Sequence, residues 1–314
     1  MTFGKEGGVF CATSLDRGRS FSQPVRVGNL PKLALGMRRG PRIAATERGV
    51  VISAISHSEG NLVTWSSSDR GVTWSQAVRI NSVTNAAREG LHAMASDHKG
   101  NVHAAWLDLR NGKTELWGAA SSDGGQTWGD NRLIYKSPDG HICECCHPSL
   151  AVDGRGRVWA MWRNWLDGAR DVYASTSADG GITFLAGRKV GTGTWPLKGC
   201  PMDGGQLAFG ADDKLLTIWR REKAVIAAGD SGESVLSGQG LQPVVGVGRG
   251  TVFYLVAARS EADVEARFGG TGRAGRERGV CSDLVGLACD HAGRRLGIHA
   301  RWREDDYRAA ARVA

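Results

Sequence analysis

Short apolar runs recur along the first 256 residues, each bounded by Gly, Asp or Asn, and none keeps the 3.6-residue period of a long amphipathic helix. Residues 49–55, 101–107 and 157–162 are nearly continuous in hydrophobicity. Each is preceded by a shorter run (41–45, 91–95, 148–152) and followed by another (61–65, 114–118, 171–175). Runs of this length between turn-forming residues predict strands. Three such strands, a turn and a fourth strand make an antiparallel unit that repeats.

The turn has its own signature. Ser67-Ser-Asp69-Arg-Gly71-Val-Thr73-Trp74 fits S-x-D-x-G-x-T-W, and Ser121-Ser-Asp123-Gly-Gly125-Gln-Thr127-Trp128 fits it again. Ser177-Ala-Asp179-Gly-Gly181-Ile-Thr183-Phe184 changes only the final ring, and Ser14-Leu-Asp16-Arg-Gly18-Arg-Ser20-Phe21 is a looser copy. Successive aspartates stand 53, 54 and 56 residues apart, so the chain length divides into close to six units. Asp and Ser side chains accept hydrogen bonds from turn amides, and Gly supplies the backbone freedom. The aromatic residue is expected to wedge under the next unit. Asp16, Asp69, Asp123 and Asp179 therefore read as structural.

All-β architecture with radial repetition predicts a six-bladed β-propeller of four-stranded antiparallel blades, a single domain over 1–314. The period places blades at about 38–81, 88–136, 146–190, 199–238 and 240–275, with the turn of the fourth reduced to Gly229-Asp-Ser-Gly232. The sixth blade would join 280–314 to 1–30, so that the N- and C-terminal segments close the ring. Residues 269–279 read as loop, in a tail (257–314) poor in aromatics and devoid of lysine.

Repeated Asp-boxes at this spacing resemble the bacterial neuraminidase (BNR) repeats of the sialidase superfamily. The resemblance runs through the boxes over roughly residues 8–245. It implies an exo-sialidase-like glycoside hydrolase acting on a terminal acidic sugar, with a carbohydrate or glycoconjugate as partner and no required cofactor. It also implies an arginine triad that grips the substrate carboxylate, since the guanidinium fork suits a planar carboxylate. One triad arginine of the family lies in a Phe-Arg-Ile-Pro motif; here Gly40-Pro41-Arg42-Ile43-Ala44 keeps Arg-Ile without the flanking Phe and Pro, which makes Arg42 the first candidate. Arg110, Arg163, Arg170 and Arg220 follow strand-like runs and are further candidates, with Arg110, Arg163 and Arg220 taken with Arg42 as the substrate-binding set.

The family uses a Tyr nucleophile activated by Glu. Tyr135, Tyr173 and Tyr254 fall in strand-like runs, where packing is the simpler role, and Tyr307 lies in the tail. The loop expected to hold the acid/base Asp reads Ser56-His57-Ser58-Glu59-Gly60, leaving Glu59 or His57 as substitutes and Asp108 as the corresponding residue one unit later. Glu59 and Asp108 are the catalytic candidates. The missing signatures equally fit a second function, a non-catalytic Asp-box propeller serving as a carbohydrate- or protein-binding scaffold or a Cys/His metal-binding protein.

Composition narrows the partners. The net charge of +8 is spread along the chain, apart from Arg38, Arg39 and Arg42, so a solvated basic surface is favoured over nucleic-acid binding. The longest apolar stretch, 252–258, is far shorter than a membrane helix, and no apolar leader core is visible near Met1. That reads as cytoplasmic, or as exported if the natural start lies upstream; the oligomeric state is not legible.

Seven cysteines are the least ordinary feature. Cys143, Cys145 and Cys146 precede one inner strand and Cys200 precedes the next. Three readings stay open: a disulfide, such as Cys145 or Cys146 with Cys200; a soft metal ion (Cu(I) or Zn) held by thiolates with His147, His141 or Met202; and a haem attachment, because Cys143-Glu-Cys-Cys146-His147 formally fits C-x-x-C-H. Cys11, Cys281 and Cys289 read as small buried hydrophobes. Trp165 and Trp195 are placed in loops, where they could stack on a sugar ring.

Overall fold

The protein is described by a computed structural model that covers residues 1–257, apart from 17, 98, 139, 140, 211, 249 and 250, and the strands at 264–269 and 276–279. Among these residues there is no helix, and hence none long and apolar enough to cross a membrane. The expected C-terminal strands at 284–288 and 296–302 lie outside the described residues.

Six antiparallel sheets follow one another along the chain. The first holds β1 (Thr2–Lys5), β2 (Gly8–Cys11) and β3 (Val25–Asn29). The second holds β4 (Arg42–Thr46), β5 (Gly49–Ser56), β6 (Asn61–Ser67) and β7 (Val78–Arg79). The third holds β8 (His92–Ser96), β9 (Val102–Asp108), β10 (Glu115–Ser121) and β11 (Arg132–Tyr135). In the fourth, β14 (Val158–Trp165) pairs with both β12 (His141–Ile142) and β13 (Ser149–Val152) on one side, and β15 (Val172–Ser177) and β16 (Arg188–Lys189) follow on the other. The fifth runs β17 (Gly205–Phe209), β18 (Leu215–Arg221), β19 (Ala224–Gly229) and β20 (Gly232–Ser237). The sixth runs β21 (Leu241–Gly248), β22 (Thr251–Ala257), β23 (Val264–Gly269) and β24 (Arg276–Gly279). The stretch 269–279, expected as loop, thus contributes β24, whose backbone groups are satisfied by pairing with β23.

Continuous apolar runs have a simple cause. Every residue of β9 is buried, as are six of the eight in β5, because each sheet is covered on both faces. Consequently no single core exists. One cluster joins Val9, Val27 and Cys11 of the first sheet to Ile52, Ala54 and Trp65 of the second. Another joins Ile55 and Leu62 to Ala104 and Trp106, and a third joins Leu107 and Leu116 to Ile142, Val158 and Trp162. Met161 and Val172 meet Leu207, Trp219 and Ile226, and Ile218 and Val225 meet Val245. The inner strands β4, β8, β13, β17 and β21 touch in that order.

The octads are the turns between the last two strands of a sheet. In the third sheet, the buried Ser121 hydroxyl donates to Asp123 Oδ1 (2.7 Å) and accepts from the Gly125 amide (2.8 Å). The Asp123 carboxylate then accepts from the Gln126 and Thr127 amides and from the Thr127 hydroxyl (2.9, 3.0 and 2.5 Å). Gly125 has φ +83°, and a Cβ there would stand 2.7 Å from the Val51 side chain of the second sheet, so backbone freedom and close approach both require glycine. The aromatic wedge points the other way from expectation. Trp128 Nε1 donates to Thr64 Oγ1 of the preceding sheet (3.0 Å), Trp74 packs on the first sheet's cluster, and Phe184 packs on the cluster shared with the third sheet. Gly71, Gly125 and Gly181 each lean on the earlier sheet, and the ring three residues later follows.

The fifth sheet lacks this device. Gly229 pairs directly with Gly232 across a tight hairpin. Beside the apolar cluster it shares with the fourth sheet, its outer strand makes a polar contact there through Glu233, which accepts from the Thr192 amide (2.9 Å) and pairs with Arg221 of its own sheet (2.6 Å).

Two outcomes follow from the turns. Ser121→Ala strands the buried Gly125 amide and should cost about 1–3 kcal/mol in urea unfolding. Hydrogen bonds from Ser20 and Ser14, and from Thr73 and Ser67, hold the Asp16 and Asp69 carboxyls at about 2; at Asp123 the burial that raises the value is outweighed by Thr127 and Ser121, again giving about 2. These folded values lie below the ordinary carboxylate range. Their contribution is therefore complete above about pH 4 and is lost as pH falls toward 2, so the unfolding midpoint should drop across that window, and less so in a Thr127→Val variant.

Candidate functional site

The loops that lead into the inner strands meet at one place, here called the hub. They bond to one another across long sequence separations. Arg42, at the start of β4, donates through Nε to the His92 carbonyl (3.3 Å) and through Nη2 to the Arg38 carbonyl. Arg38 donates through Nε to Gln242 Oε1 (2.7 Å), and Gln242 donates its amide to Asp203 Oδ2 (2.9 Å). The Gly204 amide donates to His147 Nδ1 (3.3 Å). The hub loops of the second through sixth sheets are thereby stitched together. Met37, Arg38, Met202 and Gln242 all have positive φ on these loops, a conformation costing roughly 1–2 kcal/mol per non-glycine residue that is held by the surrounding bonds.

Charge is concentrated here. Asp203 is fully buried; Arg220 pairs with it through Nε (2.9 Å), and its Oδ1 has no hydrogen-bond partner. Burial pushes the Asp203 carboxyl up, against the Gln242 amide and the nearby Arg163, Arg220 and Arg38. Arg163, 1% exposed, donates to the carbonyls of Asp203 (2.8 Å), Arg170 (2.5 Å) and Arg220 (2.8 Å). Its guanidinium and that of Arg220 both lie over the Trp195 ring, 5.2 and 5.1 Å from the centroid. Burial, and then Arg38, bring Arg42 down to about 10, which leaves it protonated at neutral pH. Burial holds His147 and His92 well below the usual histidine range, with Arg38, Arg42 and Arg163 adding at His147, so both imidazoles are neutral. Three guanidiniums, of Arg38, Arg163 and Arg220, thus lie around one carboxylate, with Arg42 nearby beside His92.

The cysteines join this hub. A tight turn is set by the Cys143 amide donating to the Arg163 carbonyl (2.9 Å) and the Cys146 amide to the Cys143 carbonyl (3.1 Å). It gathers the sulfurs of Cys143, Cys145 and Cys146, and Cys145 is disulfide-bonded to Cys200. The adjoining loops carry Glu144, which lies near His141 (3.3 Å) and Arg170 (3.6 Å), and Glu89, whose backbone carbonyl accepts from Arg39 Nε (2.8 Å). Burial, opposed by Arg39 and reinforced by Glu144, pushes the half-buried Glu89 carboxyl up.

Other candidates lie elsewhere. Glu59 sits on the exposed turn between β5 and β6, beside exposed His57. The fully buried Asp108 accepts from Trp106 Nε1 (2.7 Å) and from Arg110 Nε and Nη2 (2.9 and 2.8 Å), while the Arg110 guanidinium stacks 3.7 Å from the Trp117 centroid. Trp195 is in a loop but 7% exposed, and Trp165 ends β14, partly exposed and edge-on to His141. Tyr135 stacks on Trp162 and Tyr173, and its hydroxyl accepts from Asn164 (3.0 Å). The Tyr254 side chain, Tyr307, Cys281 and Cys289 lie outside the described residues, and Cys11 is buried, which raises its thiol. Gln242 and Glu89 were not singled out by sequence reasoning, and Arg38, Glu144 and Asp203 fall in inner-strand entries that stand out in the sequence without being given roles of their own; their one shared signal is position, just ahead of or at the start of an inner strand.

Because the buried Asp203 carboxylate pairs with Arg220 and lies among Arg163 and Arg38, Asp203→Asn leaves buried positive charge without this partner. It should cost about 3–5 kcal/mol in chemical denaturation, against less than about 1 kcal/mol for Asp130→Asn in an exposed pair with Arg132.

Comparison with known proteins supplies the family. Residues 56–214, half of the chain, match the BNR repeat-like domain family. No curated protein matches in sequence. Among solved structures, the chain is similar to a Hadza microbial sialidase (Hz136; 15% identity, TM-score 0.50), covering 80% of this chain and spanning 63% of that one. It is also similar to an alpha-L-arabinofuranosidase from Fusarium graminearum solved with an iminosugar inhibitor (13% identity, TM-score 0.54, 80% of each chain). A third is an arginine-substituted mutant of AofleA from Arthrobotrys oligospora (13% identity, TM-score 0.54, 90% of this chain and 84% of that one). At these identities the likeness is one of fold. With its recurring Asp-boxes and antiparallel sheets, the chain belongs to the BNR repeat-like domain family of the sialidase-like superfamily.

Proposed function

We propose that the six sheets are the blades of one closed propeller and that its hub takes a terminal acidic sugar, as a sialidase-like glycoside hydrolase does. Support for closure comes from the first sheet. Its Asp-box lies between β2 and β3, so β1, β2 and β3 stand as the second to fourth strands of a blade, and the inner strand is left for residues 280–314 to supply.

The observation that carries the function is the convergence of Arg38, Arg163 and Arg220 around Asp203, with Arg42 beside them acting on His147, which leaves the hub cationic. Arg163 is spent on three backbone carbonyls and contributes field and position. Arg42 and Arg220, each partly buried, are the residues assigned to the substrate carboxylate. Asp108 and Arg110 satisfy one another and are assigned to holding β9. The neighbouring carboxyls are better suited to proton transfer. Glu89, whose carboxyl burial pushes up, is the proposed general acid for the leaving oxygen; Glu144, beside Arg170 and His141, is assigned to face the developing oxocarbenium ion. One fact favours a binding role instead: the hub arginines are already bonded internally, as expected of a rigid recognition surface.

Fluorogenic sialosides separate these readings. The enzyme reading expects release of the fluorophore, falling as pH rises through the Glu89 value. Arg42→Ala should lower kcat/KM by about 10²-fold, and Glu89→Gln by about 10²–10⁴-fold for poor leaving groups and far less for activated ones. Saturable binding of an acidic sugar without turnover would select the scaffold. Neither turnover nor binding from pH 4 to 8 would overturn both.

A further inference from the structure

A catalytic funnel for sugars has no use for four cysteines at its centre. Three of their sulfurs stand close together: Cys143 to Cys146 is 2.7 Å, Cys143 to Cys145 is 3.6 Å and Cys145 to Cys146 is 3.9 Å. The fourth, Cys200, comes from the hub loop of the next sheet and is bonded to Cys145. A tetrahedral thiolate site with metal–sulfur bonds of about 2.3 Å has sulfur–sulfur edges of about 3.8 Å. Two of the three separations already match that edge, and the pair at 2.7 Å needs only to widen.

The surroundings supply what such a site requires. Cys143 and Cys146 are fully buried, so the site is dry on one side, while Cys200 is exposed and gives access from solvent. Four thiolates on a divalent ion carry a net charge of −2, which burial would penalise without nearby cations. Arg163 and Arg170 supply them: the Cys143 amide donates to the Arg163 carbonyl (2.9 Å), and the Arg163 guanidinium donates to the Arg170 carbonyl (2.5 Å). Arg170 is 5% exposed; its Nη1 faces Glu144 Oε2 at 3.6 Å, its Nε makes no hydrogen bond, and its guanidinium lies 4.6 Å over Trp165. A buried guanidinium with an unbonded Nε, next to the turn that holds the sulfurs, suits an anionic centre. His147 has its Nδ1 occupied by the Gly204 amide and stands outside the ligand set.

We propose that Cys143, Cys145, Cys146 and Cys200 form a redox-gated site for a thiophilic d10 cation, Zn(II) being the probe that defines it. In the oxidised state the Cys145–Cys200 disulfide removes two ligands. A dithiol or phosphine reductant supplies two electrons, the S–S bond breaks, and two protons complete the thiols. The cation then binds the four sulfurs with release of their protons. No haem is involved, because both cysteines of a haem attachment would be drawn into the cation site.

The test uses the full chain, reduced with a phosphine and desalted without oxygen. Titration with Zn(II) against a chromophoric chelator should give one tightly bound ion per chain, and Co(II) should give the thiolate charge-transfer and visible bands of a tetrahedral sulfur site. The unreduced chain should bind neither. Cys143→Ser and Cys146→Ser should weaken zinc binding by about 100-fold or more. Since either buried change can impair folding, exposed Cys200→Ser is the second arm: it should bind without reductant and show about a quarter less charge-transfer intensity. Cys11→Ser, a buried thiol in the first sheet, should behave as wild type. The proposal is overturned if the reduced chain takes up no stoichiometric zinc, if bound cobalt lacks the thiolate bands, or if Cys200→Ser leaves both the intensity and the need for reductant unchanged.

Discussion

A β-sheet that is apolar on both faces cannot stand at the edge of a protein, and every fully described central sheet of this chain is of that kind. β9 exposes none of its residues, and β5 only its first two in part, so each sheet must find a neighbour on either side. Clusters shared by successive sheets satisfy that demand in series. Stacking sheets face to face about an axis brings their inner strands together, and with them the loops that precede those strands. The hub is therefore a by-product of how the chain buries its hydrophobic surface, and its chemistry is whatever residues those loops happen to carry.

The repeat was legible because the octad is a local device. Ser, Asp, Gly and Thr bond one another within eight residues, and such chemistry leaves a fixed spacing in the sequence. The direction of the aromatic wedge was not legible, since it depends on which neighbour the turn glycine leans upon. The hub was legible only in outline. Arg42, Arg163, Arg220 and the cysteines could be marked by residue type and position. Arg38 and Gln242 stand 204 residues apart and meet through a series of packed strands that no local pattern encodes. Asp203 was equally silent: an isolated aspartate in a loop announces itself only when burial and three arginines converge on it.

Family membership and hub chemistry carry different weight. The family fixes the scaffold, which hosts sugar hydrolases and other proteins alike. The hub residues give this chain its individuality: a cationic centre built on Asp203, with a sulfur cluster beside it. Both share Arg163, which donates to the Asp203 carbonyl and whose own carbonyl accepts from the Cys143 amide. The cationic centre and the sulfur cluster thus adjoin through one side chain and its peptide.

The Gly229–Gly232 hairpin deserves its own consequence. Where other sheets press an aromatic ring onto the sheet before them, this one reaches across with the Glu233 carboxylate. A ring contact is indifferent to ionic strength; a partly exposed ion pair is not. High salt would therefore free the Glu233 carboxylate from Arg221 within the fifth sheet and loosen this rim contact alone, while the apolar cluster of Met161, Val172, Leu207, Trp219 and Ile226 keeps the fourth and fifth sheets joined.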